Sequence, residues 1–132
     1  MAVTGLANLA VKVREEDLEA ACAWYEAAGA TVTAPVEWEN GRRADVQLGV
    51  LALTLFTKAI YEDACTLPDA GFLHPALFVD DLDAELARHH VLWGPRIVSG
   101  SFGTRRIAFV EAPGAIRLEF MEQIEDPPEA LL

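Results

Sequence analysis

The chain has 132 residues, 52% of them hydrophobic, and a formal net charge of −11. That is apolar material for one domain with a core, and it excludes a disordered chain. The charge excludes a basic nucleic-acid footprint and adhesion to an anionic membrane. It is a poor guide to any pocket. Glu15, Glu16, Asp17 and Glu19 open a helix, where carboxylates complement the dipole, and Glu122, Glu125, Asp126 and Glu129 crowd the end of the chain. The only cysteines, Cys22 and Cys65, form no C-x-x-C pair and suit a reducing compartment. The opening MAVTGLANLAVKV has no basic segment followed by a long apolar stretch, and no run approaches membrane-spanning length. A cytoplasmic protein is expected.

In chain order, Leu9 to Val13 alternates as a strand. Asp17 to Gly29 reads as a helix, with Leu18, Cys22 and Tyr25 on one stripe and Gly29 as its stop. Thr31 to Glu37 is a short strand, Asn40-Gly41 a hairpin signal, and Arg42 to Leu48 and Val50 to Thr57 are two more strands. The stretch 58–71 has no clean period and serves as a connection. The order then recurs. His74 to Val79 is a strand, Leu82 to Val91 a helix, and Pro95 to Ser99 a strand. Arg105 to Glu111 and Ile116 to Glu122 are strands around the turn Ala112-Pro113-Gly114. Module one covers about 5–57, module two about 72–122, and 123–132 is expected to be a loose acidic tail.

Three anchors support the doubling. Asn8 to His74, Arg42-Arg43 to Arg105-Arg106, and Thr54 to Glu119 are 66, 63 and 65 positions apart. A near-constant offset is the mark of a repeat. The doubled strand-helix-three-strand module, FLHPALFVDDLDAEL, RIAFVEAPGAIRLEF and the Trp24-Tyr25 pair resemble the vicinal oxygen chelate superfamily, the glyoxalase and bleomycin-resistance fold. The resemblance runs from Leu6 to about Glu122. It implies an α+β fold in which two tandem βαβββ modules form a curved mixed-sheet cup with the helices outside. It also implies a homodimer, and a metal site at Asn8, Thr54, His74 and Glu119. The second copy keeps His74 and Glu119 as ligands. The first has Asn8 and Thr54, poor donors for a divalent metal, so the set for zinc, nickel, manganese or iron is incomplete.

Strand alternation sorts the side chains of that cup. Asn8, Ala10 and Lys12 share its face with Ala52, Thr54 and Phe56, and with Arg43, Asp45 and Gln47. Ala44, Val46 and Leu48 turn to the helices, as do Leu51, Leu53 and Leu55. In the second copy His74, Ala76, Phe78, Arg117 and Glu119 face in. There Ile107 and Phe109 are expected on the helix side, which leaves Arg106 in the cup. The expected cup is cationic and suits a small anionic ligand, because arginine forks match planar carboxylates. Arg42-Arg43 and Arg105-Arg106 also admit a second reading, as solvated hairpin edges that deter sheet aggregation. His89 and His90 are expected on the surface at a helix end.

Two functions stay open at this point. One is an isomerase, epimerase or lyase acting next to a carbonyl of an anionic substrate. Glu119 or His74 is then the base, and Arg106, Arg117, Arg43, Asn8, Thr54, Gln47 and Phe56 are candidates to bind substrate. The other is a binding protein that sequesters a small molecule without chemistry.

Overall fold

The computed structural model describes residues 3–100 and 102–125. Its chain order is β1 (Val3–Lys12), α1 (Leu18–Ala27), β2 (Thr31–Val32), β3 (Val36–Trp38), β4 (Gly41–Leu48), β5 (Leu51–Phe56), β6 (Gly71–Val79), α2 (Leu82–Leu86), β7 (His90–Gly100), β8 (Gly103–Ala112) and β9 (Ile116–Glu125). This is the α+β class with the strand-helix-strands module written twice. The expected tail begins too early, since β9 runs to Glu125. The residues after it lie outside those described. No described helix is long and apolar enough to cross a membrane.

The chain divides into two units, one spanning Asn8–His74, the other Pro75–Leu132 together with Met1–Ala7. The cuts fall inside β1 and β6, so the connection belongs wholly to the first unit. In that unit the strands bond in the order β2-β4-β5-β1, with β3 also on β4. β1 and β5 are parallel, with Ala10 opposite Thr54. β4 and β5 are antiparallel, with Asp45 opposite Thr54 and Arg43 opposite Phe56. The expected strand at Thr31 to Glu37 is two strands, because Pro35 between them has no N–H to give a ladder. The turn to β4 is centred on Glu39 and Asn40, both at positive φ, one residue earlier than Asn40-Gly41 suggested.

One face of this sheet packs on α1. Leu18 and Cys22 meet Ala44, Val46, Leu53 and Leu55, with Leu9 and Val11 at the margin. The alternation read from β1, β4 and β5 is therefore correct. Leu51, at the start of β5, is exposed. Burial pushes the Cys22 thiol up, as expected for a core thiol. Arg42 fastens the helix approach to β4. Its guanidinium bonds Glu15 at 2.6 Å and also Glu19.

The second unit bonds in the order β6-β9-β8-β7. β6 and β9 are parallel, with Ala76 opposite Glu119. α2 has five residues, not the ten expected from Leu82 to Val91. Asp81 caps it by accepting from Ala84 N at 3.1 Å. Glu122 on β9 accepts from Leu82 N at 2.9 Å. The chain leaves the helix early because His90 opens β7, opposite Glu111. His89, expected on the surface, has its ring 5.3 Å from that of Phe120. Gly94 sits at φ 87°, and a Cβ there would lie 2.8 Å from the Ile107 carbonyl oxygen, so only glycine fits.

The face of β8 corrects the sequence reading. Leu82 of α2 packs with Val79, Ala108, Val110 and Phe120. Ala108 is opposite Phe120 and Val110 opposite Leu118, so these residues hold the helix face. Ile107 and Phe109 are buried on the other face, opposite Met121 and Glu119. Arg106 consequently turns to the helix side, where it bonds Asp83 of α2 at 2.8 Å. Arg105 takes the place expected of it. The cause is that β8 is apolar on both faces from Ile107 to Val110, so alternation carries no signal there.

Arg42 holds the Glu19 carboxyl below the usual range, chiefly through their hydrogen bond. A carboxylate with a depressed folded pKa adds stability above its unfolded pKa and loses it as pH falls. The urea-midpoint gap between wild type and Arg42→Gln should therefore be largest at about pH 7 and shrink toward about pH 3.5. A gap that stays constant or widens on acidification would contradict this role.

Candidate functional site

The first unit carries a polar network on the sheet face opposite α1. Arg43 on β4 is 4% exposed. Its Nη2 lies 2.8 Å from Asp45 Oδ1, two residues along the same face. Thr54 Oγ1 on β5 donates to the same Asp45 oxygen at 2.9 Å. Asn8 Nδ2 on β1 donates in turn to Thr54 Oγ1. Asn8 and Thr54 are both buried. The guanidinium carbon of Arg43 stands 5.6 Å from the Trp38 ring centre and 5.7 Å from that of Phe56. The two rings are tilted against each other at 5.3 Å. Arginine is the cation that tolerates such a place, because its charge is delocalised and weakly hydrated.

Asn8, Thr54, Arg43, Asp45, Phe56 and Lys12, all expected on that face, are placed there. Asn8, Thr54 and Arg43 are joined through Asp45, and Phe56 forms one wall around Arg43. Gln47 is exposed and turns away, donating to Gly49 O at 2.7 Å. Lys12 is on the same face but bonded to Glu62 of the connection at 2.6 Å. Lys12 and Arg43 are therefore both matched by carboxylates, which corrects the cationic charge expected of this half.

His74 on β6 is 4% exposed, and its Nδ1 lies 2.8 Å from the hydroxyl of Tyr61, itself buried. A donating phenol makes Nδ1 the acceptor and puts the ring proton on Nε2, whereas an Nδ1–H makes the phenol oxygen the acceptor. Sequence reasoning missed Tyr61 and Glu62. Both sit in the aperiodic connection, and an aromatic ring beside a buried alanine, Ala59, is the one local hint of burial there.

In the second unit Arg117 and Glu119 lie two residues apart on β9, on the face away from α2. Glu119 is flanked across the ladders by Ala76 and Phe109. Arg105, missed as an inward residue, is 4% exposed on the same face. Its Nη1 is 3.6 Å from Met121 Sδ and its guanidinium carbon 5.3 Å from the Phe102 ring. Phe102 meets Phe78 edge to face at 6.2 Å. Trp93 and Phe109 extend the aromatic surface, with Arg96 over Trp93 at 5.7 Å. Arg106 takes no part in this face.

The first unit's share of the implied metal set does not fit a divalent ion. Asn8 and Thr54 offer a neutral amide and a hydroxyl, and each donates a hydrogen bond within the network. That leaves one imidazole and one carboxylate, His74 and Glu119. Among the described residues no three His, Cys, Asp or Glu side chains gather in a group that could hold a metal.

No family model and no curated protein matches the sequence. Solved structures do. Methylmalonyl-CoA epimerase from Mycobacterium tuberculosis matches with a TM-score of 0.67 at 20% identity, over 94% of this chain and 91% of that one. A glyoxalase/bleomycin resistance protein/dioxygenase superfamily member from Vibrio splendidus matches at 0.59 and 13%, over 90% and 99%. The Mn(II)-bound glyoxalase from Novosphingobium aromaticivorans matches at 0.61 and 17%, over 96% of this chain and 41% of that one. At such identities the likeness is one of fold. The chain has the vicinal oxygen chelate fold, as the doubled module and the two motif stretches implied.

Proposed function

We propose that the chain acts on a small anionic molecule next to its carbonyl group, as an isomerase, epimerase or lyase. The observation that carries this reading is the inner face of the second unit. Glu119 shares it with Arg117 and Arg105, among aromatic rings and Met121, while Glu111, opposite Arg117, is exposed at the end of the same face. Glu119 takes the proton from the carbon beside the carbonyl, and the bonding pair moves onto the carbonyl oxygen as an enolate. Arg105 and Arg117 balance the charge of the substrate's oxygens. Protonation of that carbon by solvent on its other side, with Glu119 giving its proton back to solvent, gives epimerisation, and loss of a leaving group from the neighbouring carbon gives elimination. The likeness to methylmalonyl-CoA epimerase supports the same class. No step draws on a metal. A homodimer in the cytoplasm belongs to this proposal.

A second reading is a binding protein without chemistry. It is favoured by the network at Asn8, Thr54, Asp45 and Arg43, which turns two implied ligand positions into fixed hydrogen-bonding groups.

Exchange of the α-proton for deuterium, followed by NMR over a panel of acyl thioesters and 2-substituted carboxylates, separates the two. Wild type should catalyse exchange on at least one compound. Glu119→Gln should lose about 10²–10⁴-fold in rate while binding that compound within about threefold. Binding with no exchange by wild type would leave the carrier reading in its place.

Metal content is a separate check. Tag-free protein purified without chelator should carry far less than one equivalent of zinc, nickel, manganese or iron by mass spectrometry. Near-stoichiometric metal that disappears in both His74→Ala and Glu119→Ala would contradict a metal-free mechanism.

A further inference from the structure

The hydrogen bonds of the first unit have only one consistent direction. The guanidinium of Arg43 can only donate, and the Asp45 carboxylate that pairs with it only accepts. Thr54 Oγ1 lies 2.9 Å from the same Asp45 oxygen and has a single proton to give. If that proton pointed to Asn8, two oxygen lone pairs would face each other at half-buried Asp45, which is unfavourable. The Thr54 proton therefore goes to Asp45. Thr54 is then an acceptor toward Asn8, and Asn8 must offer it the amide NH2 rather than the carbonyl. The direction set by a buried cation is passed through three side chains to an amide on another strand.

We infer that Arg43, Asp45 and Thr54 are positioning residues that fix the Asn8 amide so that its Oδ1 is held for a hydrogen-bond donor on the ligand. Asn8 stands on the sheet face that α1 does not cover, at a position the resemblance gives to a metal ligand. In place of a cation it meets a hydroxyl or N–H group. The ligand class for this face is a small molecule carrying a hydroxyl or N–H donor, such as a 2-hydroxy or 2-amido acid. A ligand with only acceptors there sets its lone pairs against Oδ1 and is rejected. The inference depends on the proposed function only for the anionic charge of that ligand.

The test uses the whole chain with 15N-labelled asparagine and four probes: lactate, 2-methoxypropionate and the neutral amides of both. Lactate should move the Asn8 side-chain amide resonances and bind at least about tenfold more tightly than its methyl ether. Thr54→Ser keeps the hydroxyl and should keep the preference. Thr54→Val leaves the Arg43–Asp45 pair whole and should lose it. Asp45→Leu removes the oxygen that takes the Thr54 proton, frees that proton for Asn8, and should weaken or invert the preference. A preference confined to the neutral pair upholds this inference and counts against an anionic substrate. Carboxylates that bind without a preference uphold the anionic substrate and overturn this inference. It is also overturned if no probe moves the Asn8 resonances, or if the preference survives both Thr54→Val and Asp45→Leu.

Discussion

A buried guanidinium must be matched, and most of what distinguishes the first unit follows from matching Arg43. Charge removed from water costs several kcal/mol unless a counter-charge and hydrogen bonds replace the solvent. Asp45 supplies the charge from two residues along the strand, and Trp38 and Phe56 supply ring faces. With Arg43 on it, Asp45 takes a hydrogen bond from Thr54, and Thr54 takes one from Asn8. Three strands, β4, β5 and β1, are thereby tied on the face that lacks a helix. The opposite face is tied by Leu18 and Cys22 packed on the apolar residues of the same strands. One pleat thus carries an apolar lock on one side and a polar lock on the other.

The two copies of the repeat treat the same positions differently. In the first copy, the places that correspond to His74 and Glu119 are Asn8 and Thr54, both drawn into the network. In the second, the carboxylate of Glu119 stands among aromatic and apolar neighbours with two arginines on its face. One copy thus has a carboxylate at this place and the other a fixed hydrogen-bonding group. His74 has its own partner, and Tyr61 fixes the orientation of its ring. The connection does more than join the copies. Its Glu62 neutralises Lys12, and its Tyr61 holds His74.

The first sheet was legible because its strands alternate cleanly. Ala44 and Val46 against Arg43 and Asp45 leave one way to face the core. The last three strands were less legible. From Ile107 to Val110 every residue is apolar and every one is buried, so no pattern tells the helix side from the other. The choice falls to neighbours distant in sequence, such as Leu82 and Phe120, and it exchanges Arg105 for Arg106. The early end of α2 was hidden for a related reason, since His90 and Val91 suit a helix until β7 claims them by pairing with β8. The partners made by the connection carry no period at all. Asn8 and Thr54 were recognisable as unusual from the repeat, but their direction required the proton count that Asp45 and Arg43 impose.

The claim that the pairing of buried Arg43 with Asp45 organises the first unit is tested most directly by a double-mutant cycle on stability. Arg43→Met, Asp45→Leu and the double variant would be unfolded in urea beside wild type. Each single change leaves a charge without its counter-charge and should cost about 2 kcal/mol or more. The double change removes both charges and should cost less than the sum, by a coupling of about 1–3 kcal/mol. Single costs that simply add, within about 0.5 kcal/mol, would mean that the two residues act independently, and the network would lose its organising role.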